Sequence, residues 1–245
     1  AKFNSTFFNL LKDSENKSFS LKELISKKDE RKIILNTSKF LKLPKSNFSY
    51  WVPDSIFEII ENNFQFESEN REARIGLSTG DDFRFIRLWN EVPIKTSRWK
   101  PLAKGGAYSP YYSDIYLSIN WYKDGVEIRN FTNSAGKLRS RPQNLSYFFK
   151  AGVTWTLRTT SNLSFRYLPK GVIFSHKGPT CFTSNNWFWL GVLQSSLFQE
   201  LVEVQLAAGD SAARSYETGV IQTTPVPFVD NLSEIESEVT TLVKE

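Results

Sequence analysis

The stretch from Gly136 to Asn144, GKLRSRPQN, carries five cationic or amide side chains in nine residues and no acidic side chain. Such head groups lose hydration when they are buried, so each needs a hydrogen-bonding partner and they form poor core material. An arginine offers a planar fork of donors, and a side-chain amide offers donors beside an acceptor. The stretch therefore predicts a contact surface for a polar or anionic partner.

Few residues in the chain are suited to catalysis. His176 is the only histidine and Cys181 the only cysteine, so a zinc site of several thiolate and imidazole ligands is excluded. No Gly-x-Ser-x-Gly motif supports a serine hydrolase that uses His176, which we interpret as a surface or sheet-edge residue. Residues 76–82, GLSTGDD, lack the Lys-Ser/Thr ending of a phosphate-binding loop. The sequence therefore predicts no catalytic residue and no metal site in this chain.

Two features keep a metal-dependent alternative open. Asp81 and Asp82 are adjacent carboxylates that can hold a divalent cation, although neighbouring aspartates more often cap or close a turn. Residues 30–32, Glu-Arg-Lys, are similar to one part of a metal-dependent nuclease motif, but they lie in a polar region without a strand-borne aspartate upstream. A metal-dependent nuclease, recognisable by Mg²⁺-dependent cleavage, is therefore an alternative function.

Basic residues are concentrated in the middle of the chain. Residues 94–177 contain 14 lysines and arginines, three acidic residues and 15 aromatic residues, which gives this segment a charge of +11. The remainder contains 17 basic and 23 acidic residues, a charge of −6. A basic, aromatic-rich segment between acidic flanks is typical of a surface that binds a polyanion such as DNA. The alternative interpretation is a solvated sheet surface with aromatic residues in its core.

Alternation of apolar and polar residues dominates from residue 99 to residue 182 and predicts β-strands. In VTWTLRT, Val153 and Trp155 share one face, while the intervening threonines share the other face with Arg158. Residues 71–92 predict a strand, a turn around Ser78–Asp82 and a second strand. The pattern therefore predicts a sheet with one apolar and one basic face.

Helical periodicity is confined to three segments. Residues 53–63 predict a short helix capped by Asp54. Residues 187–206 have apolar residues three and four apart, which predicts one packed helix, and residues 215–227 then predict a closing strand and a proline-containing exit. Residues 231–245 predict a C-terminal helix capped by Asn231, with an apolar stripe that packs on something outside the segment. The predicted fold is mixed α+β, a twisted and mainly antiparallel sheet with flanking helices.

Five blocks of the sequence carry a resemblance to a known family. In order, they are GLSTGDDFRFIRLWNEV, RWKPLAKGGAY, INWYKDGVEIRNF, KLRSRPQNLSYFFKAGVTWT and FRYLPKGVIF. Their order and spacing resemble the target recognition domain of large bacterial adenine-specific DNA methyltransferases, both those of BREX-type phage-exclusion systems and fused type IIG restriction-modification enzymes. LGVLQSS resembles the helix after the variable region of that family, and GVIQTTPVP its closing strand. The resemblance covers residues 48–227.

The resemblance implies a layout and a set of partners. Residues 1–47 are then a connector from a preceding catalytic domain, residues 48–230 the DNA target recognition domain, and residues 231–245 the start of a C-terminal helix. The family's Asn/Asp-Pro-Pro-Tyr/Phe motif and glycine-rich cofactor loop do not occur in this chain, and the chain has no methionine. We therefore expect a segment of a longer enzyme, with no cofactor of its own and S-adenosylmethionine bound by the parent enzyme.

Expected partners are double-stranded DNA, the catalytic domain of the same polypeptide and other defence-system proteins. No apolar run approaches the roughly 18 residues that span a membrane, so no membrane partner is expected. A single cysteine cannot form an internal disulfide, which favours a cytoplasmic location. A protein-interaction module with an aromatic binding face is a further alternative, and its binding would depend little on salt.

DNA recognition by such a domain divides the polar residues into three groups. Arginine pairs bidentately with guanine and a side-chain amide with adenine, whereas lysine mainly neutralises phosphates. For Arg141, the alternative is a scaffold role in which its guanidinium donates to neighbouring carbonyls. For Gly105 and Gly106, the alternative is a plain tight turn. The loop after Gly106, AYSPYYSD, departs from the basic-Trp-Tyr continuation usual in the family. The base-reading candidates are Arg139, Arg141, Gln143 and Asn144; the phosphate-contact candidates are Lys100, Lys104, Gly105, Gly106, Lys137, Lys150 and Lys170; the candidates for a hinge and cleft wall are Thr79, Gly80, Asp81 and Arg84.

Overall fold

A computed structural model describes residues 3–10, 16–27, 29–43, 46, 48–93, 96–206, 213–226 and 232–244. In this part of the chain the fold is mixed α+β, as the sequence predicts. The strands are β1 (Asn4–Phe8), β2 (Lys32–Asn36), β3 (Arg71–Arg74), β4 (Ile86–Leu88), β5 (Trp99–Ala103), β6 (Leu117–Asn120), β7 (Gly152–Trp155), β8 (Arg158–Thr159), β9 (Phe165–Leu168), β10 (Ile173–Phe174), β11 (Thr180–Thr183) and β12 (Arg214–Ser215). The helices are α1 (Lys17–Ser26), α2 (Asp54–Asn62), α3 (Asp82–Phe85), α4 (Tyr122–Arg129), α5 (Asn186–Gln194), α6 (Ser196–Gln205), α7 (Thr218–Thr223) and α8 (Leu232–Lys244).

The strands divide into separate sheets where the sequence predicts one. Among the described residues there are two four-stranded sheets, ordered β10-β5-β6-β4 and β3-β11-β7-β9, and two strand pairs, β1-β2 and β12-β8. The strands pair antiparallel except β10 and β5, which run parallel. Alternation within a strand reports which side chains share a face, but it does not report which strands lie side by side.

Both faces of the sheet β3-β11-β7-β9 are covered. Val153 and Trp155 lie on the face that packs against α5 and α6, and both are fully buried. Thr154 lies on the opposite face and is only 5% exposed, beside Arg166 of β9 at 3%. An apolar cluster between the two large sheets, which includes Leu102 of β5, covers that second face. The prediction of a solvated basic face on this sheet is therefore wrong.

The predicted helix over residues 187–206 is two helices. Ser195 ends α5 and caps α6, since its Oγ accepts the N–H of Phe198 (3.2 Å) and its hydroxyl donates to the carbonyl of Val192 (2.6 Å). A serine at this position offers the backbone an alternative to continued helix, which the regular spacing of leucines hides. At α2, Pro53 occupies the cap position and Asp54 is the first helical residue, so the helix begins one residue earlier than predicted.

The predicted closing strand is largely a helix. Only Arg214 and Ser215 pair as a strand, and Thr218–Thr223 form α7. The β-branched residues of this segment favour a strand, but Val220 and Ile221 are adjacent and both are buried in the core of the β3-β11-β7-β9 sheet. A strand would turn two adjacent side chains to opposite faces, so burial of both on one side favours the helical turn.

The C-terminal helix packs within the chain. Ile235 and Val239 of α8 lie against Gly191 of α5, so the expectation that its apolar stripe packs outside the segment is wrong for the middle of the stripe. Leu232 and Leu242 at its ends stay exposed. The predicted cap, Asn231, lies outside the described residues.

Residues before position 48 share a core with later elements. Phe40 and Leu43 cluster with Ile56 and Phe57 of α2 and with Leu201 of α6. The boundary predicted between residues 47 and 48 therefore crosses a continuous apolar cluster. No helix in the described part of the chain is long and apolar enough to cross a membrane.

Candidate nucleic-acid interface

The GKLRSRPQN stretch is one half of a pair of adjoining loops, here called the loop pair, formed by residues 75–85 and 131–144. The N–H of Arg141 donates to the carbonyl of Ser78 (2.8 Å), and the N–H of Ser78 donates back to the carbonyl of Arg141 (3.1 Å). Gly80 has a φ of +75°, and a Cβ there would stand 2.8 Å from the carbonyl carbon of Arg139. Only glycine combines that conformation with so close an approach, so Gly80 lets the two loops touch.

Two of the four base-reading candidates use their amide groups inside the protein. The Gln143 Nε2 group donates to the carbonyl of Gly76 (3.0 Å), and the Asn144 Nδ2 group donates to the carbonyl of Ile75 (2.9 Å). Both side chains are half-buried. One N–H of each amide therefore fastens the second loop to the first, which leaves the other N–H and the oxygen of each amide for any outside partner.

The other two candidates present free guanidinium groups. Arg139 and Arg141 are exposed, and their side chains make no hydrogen bond or ion pair with the described residues. The Arg139 guanidinium carbon lies 5.3 Å from the centre of the Phe131 ring, and that of Arg84 lies 5.1 Å from the same ring. Arg84 also meets no carboxylate in the described part of the chain. The loop pair thus gathers three arginines without acidic partners, here called the arginine cluster: Arg84, Arg139 and Arg141.

Lys137 lies at the tip of a small hairpin that precedes the arginines. Thr132 pairs with Leu138, and Arg139 donates its N–H to the carbonyl of Phe131 (2.8 Å). The Asn133 Oδ1 atom accepts the N–H of Lys137 (2.9 Å) and closes the turn. Lys137 is exposed beside this turn, within the loop pair.

The remaining hinge candidates build the first loop. Asp81 caps the short helix α3 through the N–H of Arg84 (3.0 Å), and Thr79 is buried with its hydroxyl donating to Asp82 (2.7 Å). Burial opposes ionisation of Asp82, but hydrogen bonds from Lys104 and Thr79 outweigh it and hold the pKa of Asp82 below its usual value. Lys104 is therefore an ion-pair partner of Asp82, and a phosphate would have to share it.

The two glycines after Lys104 have different surroundings. Gly105 has a φ of +75°, and a Cβ there would clash with the carbonyl oxygen of Lys177 at 2.5 Å, so the close turn is structural. Gly106 has a φ of +152° and is exposed, and a Cβ there would stand 3.7 Å from Nη1 of Arg166. Only the second glycine therefore opens onto a cationic group.

The other phosphate-contact candidates lie apart from the loop pair. Lys150 and Lys170 are exposed on two turns joined by the N–H of Gly171, which donates to the carbonyl of Phe149 (3.0 Å). Lys100 is half-buried on β5, on the same face as the buried Leu102. The structure thus joins Lys104 and Lys137 to the loop pair, and places Lys150 with Lys170 elsewhere.

Neither the histidine nor the cysteine is placed for catalysis. Cys181 is fully buried, and burial raises the pKa of its thiol well above the usual value. His176 is half-buried and follows β10, an edge strand of its sheet; burial lowers its pKa, and its Nδ1 atom meets no hydrogen-bond partner among the described residues. Within the described ranges, no group of three or more histidine, cysteine, aspartate or glutamate side chains lies close enough to hold a metal ion.

Sequence reasoning missed one arginine. Arg166 lies in the FRYLPKGVIF block, where alternation predicts an outward-facing basic residue, yet only 3% of it is exposed. Its Nη1 donates to the carbonyl of Ala107 (3.1 Å), and its Nη2 donates to the Thr156 hydroxyl. No signal in the sequence separates it from an outward-facing arginine, because its burial follows from its pairing with Thr154 in a strand whose four residues are all buried.

Comparison with known proteins places the chain beside large methyltransferases. No family model matches the chain. Its homologues are adenine-specific methyltransferases. It is 28% identical over 184 residues to adenine-specific methyltransferase PglX of Lacticaseibacillus casei (strain Zhang) and 30% identical over 193 residues to adenine-specific methyltransferase BrxX of Escherichia coli O9:H4 (strain HS). The alignments cover 68% and 75% of this chain, and the chain spans about 15% of the length of either relative.

Proposed function

We propose that the chain is the sequence-recognition segment of an N6-adenine DNA methyltransferase, in a BREX-type or restriction-modification defence system in the cytoplasm. The observation that carries this proposal is the arginine cluster on the loop pair. None of the three guanidinium groups forms an ion pair with a described carboxylate, since Asp81 of the same loops caps α3 and Asp82 pairs with Lys104. Uncompensated cations that are held in fixed positions favour a polyanion over a neutral partner.

We assign contacts with base edges and contacts with phosphates to different residues. Arg139 and Arg141 are the candidates for bidentate contacts with base edges, because their donors are unused in the protein. Lys137 at the hairpin tip, with Lys150 and Lys170 on the other turns, is suited to phosphates, which position the duplex without specifying its sequence. Gln143 and Asn144 each use one N–H to hold the second loop in place, which leaves one N–H and the oxygen of each amide for base reading.

The proposed segment acts together with the rest of its polypeptide. A methyltransferase must bring the target adenine out of the base stack before its N6 is modified, so a recognition segment has to hold the duplex meanwhile. S-adenosylmethionine and the transfer chemistry belong, in this proposal, to the catalytic domain of the parent enzyme. We propose the loop 79–84 as part of the cleft wall between the two.

Exposed apolar side chains in the first 64 residues favour a second, compatible role in docking. Phe3, Leu41, Phe48 and Phe64 are 68%, 76%, 71% and 86% exposed. Large apolar side chains gathered in one part of a chain mark protein-interaction surfaces. We propose that this part contacts the catalytic domain of the same polypeptide or another defence-system protein.

Salt dependence of DNA binding tests the main proposal. If about six phosphates are neutralised, the logarithm of the association constant for a duplex should fall with the logarithm of salt concentration at a slope of about −5. The measurement is fluorescence anisotropy of the chain with labelled duplex between about 50 and 200 mM salt. An affinity that does not change over this range contradicts DNA binding and favours a protein-interaction module. Cleavage of the duplex on addition of Mg²⁺ favours the nuclease alternative.

A further inference from the structure

Arg166 is a buried cation without a counter-ion. Its side chain forms no ion pair with any described carboxylate, and two of its five N–H groups are occupied, by Ala107 and Thr156. Burial lowers the pKa of its guanidinium, but arginine remains protonated at any physiological pH. A buried charge costs several kcal/mol unless it is paired, so such a cation is typical of a site that receives an anion.

Arg166 lines a cavity between the two large sheets. The cavity has a volume of about 150 Å³ and is open to solvent on one side. β5 and β6 contribute Leu102 and Leu117, and β7 and β9 contribute Thr154 and Leu168. A cavity of that size can hold a benzene-sized molecule, so a phosphate group with an attached water fits.

The rim of the cavity leaves the guanidinium accessible. Gly106 forms part of the lining, and its lack of a side chain keeps the nearest approach to Nη1 of Arg166 open. Asp114 also lines the cavity, but its carboxylate accepts the Tyr112 hydroxyl (2.9 Å) and forms no ion pair with Arg166. Tyr116, another lining residue, offers a phenol that can donate to an anion.

We infer that this cavity is a phosphate-binding site in which Arg166 is the charged ligand. The donors are the free N–H groups of Arg166 and the hydroxyl of Tyr116, and the exposed Gly106 turn is the entry. That the phosphate belongs to the DNA backbone rests on the proposed function. A backbone phosphate held here would fix the duplex against the sheets, beside the loop pair, to which the lining residue Lys104 is joined through its ion pair with Asp82.

Inorganic phosphate is the probe for the site itself. In the wild-type chain, phosphate several-fold above its dissociation constant should raise the melting temperature by about 3 °C over chloride of equal ionic strength. Arg166→Met should abolish this difference. Arg158→Met is the matched control, because Arg158 is an exposed arginine on the neighbouring strand β8 and does not line the cavity, and it should keep the difference.

A second variant decides the matter if Arg166→Met does not fold. Asp114→Asn removes the negative charge from the lining while its amide oxygen can still accept the Tyr112 hydroxyl. Asp114 is exposed, so the fold should be unaffected. Phosphate should bind this variant several-fold more tightly than the wild type. A phosphate effect in Asp114→Asn no larger than in the wild type, or an undiminished effect in folded Arg166→Met, overturns the inference.

DNA binding distinguishes the source of the phosphate. If the site holds a backbone phosphate, Arg166→Met should lower the salt slope of duplex binding by about one, and Arg158→Met should not. If the wild-type chain binds DNA and Arg166→Met leaves the slope unchanged, the DNA part of the inference is overturned and the phosphate comes from a small molecule. If the wild-type chain binds phosphate but no DNA, the proposed function fails and the phosphate site stands.

Discussion

At the scale of single residues, polar side chains that look alike in the sequence differ in whether their N–H groups already donate hydrogen bonds within the protein. Arg139, Arg141, Gln143 and Asn144 stand within six residues of one another. The two amides donate to carbonyls of the facing loop, whereas the two guanidinium groups meet no acceptor in the described part of the chain. Each amide already uses one N–H on the facing loop, whereas every guanidinium N–H of the two arginines stays available, so the arginines are the better candidates for base reading.

Substitution of Arg139 tests base reading. Arg139→Ala in the full enzyme should cost about 1–3 kcal/mol in binding and relax the preference at one base position, because one bidentate contact is lost. Arg139→Lys keeps the charge but loses the fork, so it should restore affinity better than selectivity. The measurement is sequencing of methylated sites for each variant, beside duplex affinity.

Lys137 supplies the matched control on the same hairpin. Lys137→Ala should weaken binding to all sequences alike and lower the salt slope by about one, without any change in the methylated site. If Arg139→Ala behaves in the same way as Lys137→Ala, Arg139 grips the backbone and does not read bases.

His176 gives a pH dependence that belongs to one side chain. Burial holds its pKa in the folded chain below the ordinary value of 6.5, and nearby Lys177 and Lys104 act in the same direction, while the N–H···O bond with Leu77 and the charge of Asp82 oppose them. The folded chain therefore binds fewer protons than the unfolded chain when pH falls below about 6.5, and stability declines there. His176→Gln should lack the part of this loss of stability that comes from protonation of the histidine.

Thermal melts of wild type and His176→Gln between about pH 7.5 and pH 5 measure the contribution of His176 to the pH dependence of stability. The difference between the two melting temperatures should shift in favour of the variant as pH falls through 6.5. Carboxylates titrate equally in both proteins and cancel in the difference. Two parallel curves would show that the histidine is solvated in solution.

At the scale of elements, packing decides between helix and strand, and where a helix ends, when the local sequence pattern does not. The spacing of apolar residues in α2, α5, α6 and α8 predicts helices correctly, since each helix buries one stripe. The same reasoning fails at Thr218–Thr223, where β-branched residues suggest a strand but two adjacent side chains are buried together. It also fails at Ser195, because a serine that ends one helix and caps the next does not interrupt the spacing.

Gly191 shows how strongly α8 is held. A Cβ at this position would stand 2.6 Å from Ile235 Cγ2 and 2.9 Å from Val239 Cγ2. Alanine in a helix interior is favoured over glycine by about 1 kcal/mol, so Gly191→Ala should stabilise the chain if only propensity mattered. We expect the opposite, a loss of unfolding free energy in urea, because the methyl group displaces α8 from α5.

Gly219→Ala is the matched control for that substitution. Gly219 lies in α7 with no atom within 4 Å of an added Cβ, so the change should stabilise the chain by about 0.5–1 kcal/mol. If Gly191→Ala stabilises the chain as much as Gly219→Ala, α8 does not pack against α5 in solution.

At the scale of the whole molecule, the sequence predicts the class of fold correctly, and packing decides which of its basic residues stay exposed. Charge counting finds the basic segment of residues 94–177, because charge survives folding unchanged. It does not distinguish Arg166, buried between two sheets, from Arg139, exposed on a loop, because the burial of a residue depends on which strands meet across the core. The phosphate candidates also scatter over several surfaces for that reason.

The core that joins residues before position 48 to α2 and α6 gives the last prediction. Phe40 is 3% exposed within this cluster, while its neighbour Leu41 is 76% exposed. Phe40→Ala should lower the unfolding free energy of the chain by about 3–5 kcal/mol, the usual cost of a buried phenylalanine, and Leu41→Ala should change it by about 0.5 kcal/mol or less. Urea denaturation followed by tryptophan fluorescence, to which Trp121 and Trp155 in the other two clusters contribute, measures whether the loss reaches the whole molecule. If residues 1–47 are a separate connector, Phe40→Ala leaves that transition where it is in the wild type. A shifted transition for Phe40→Ala alone means that this part folds as one unit with the sheets that carry the loop pair.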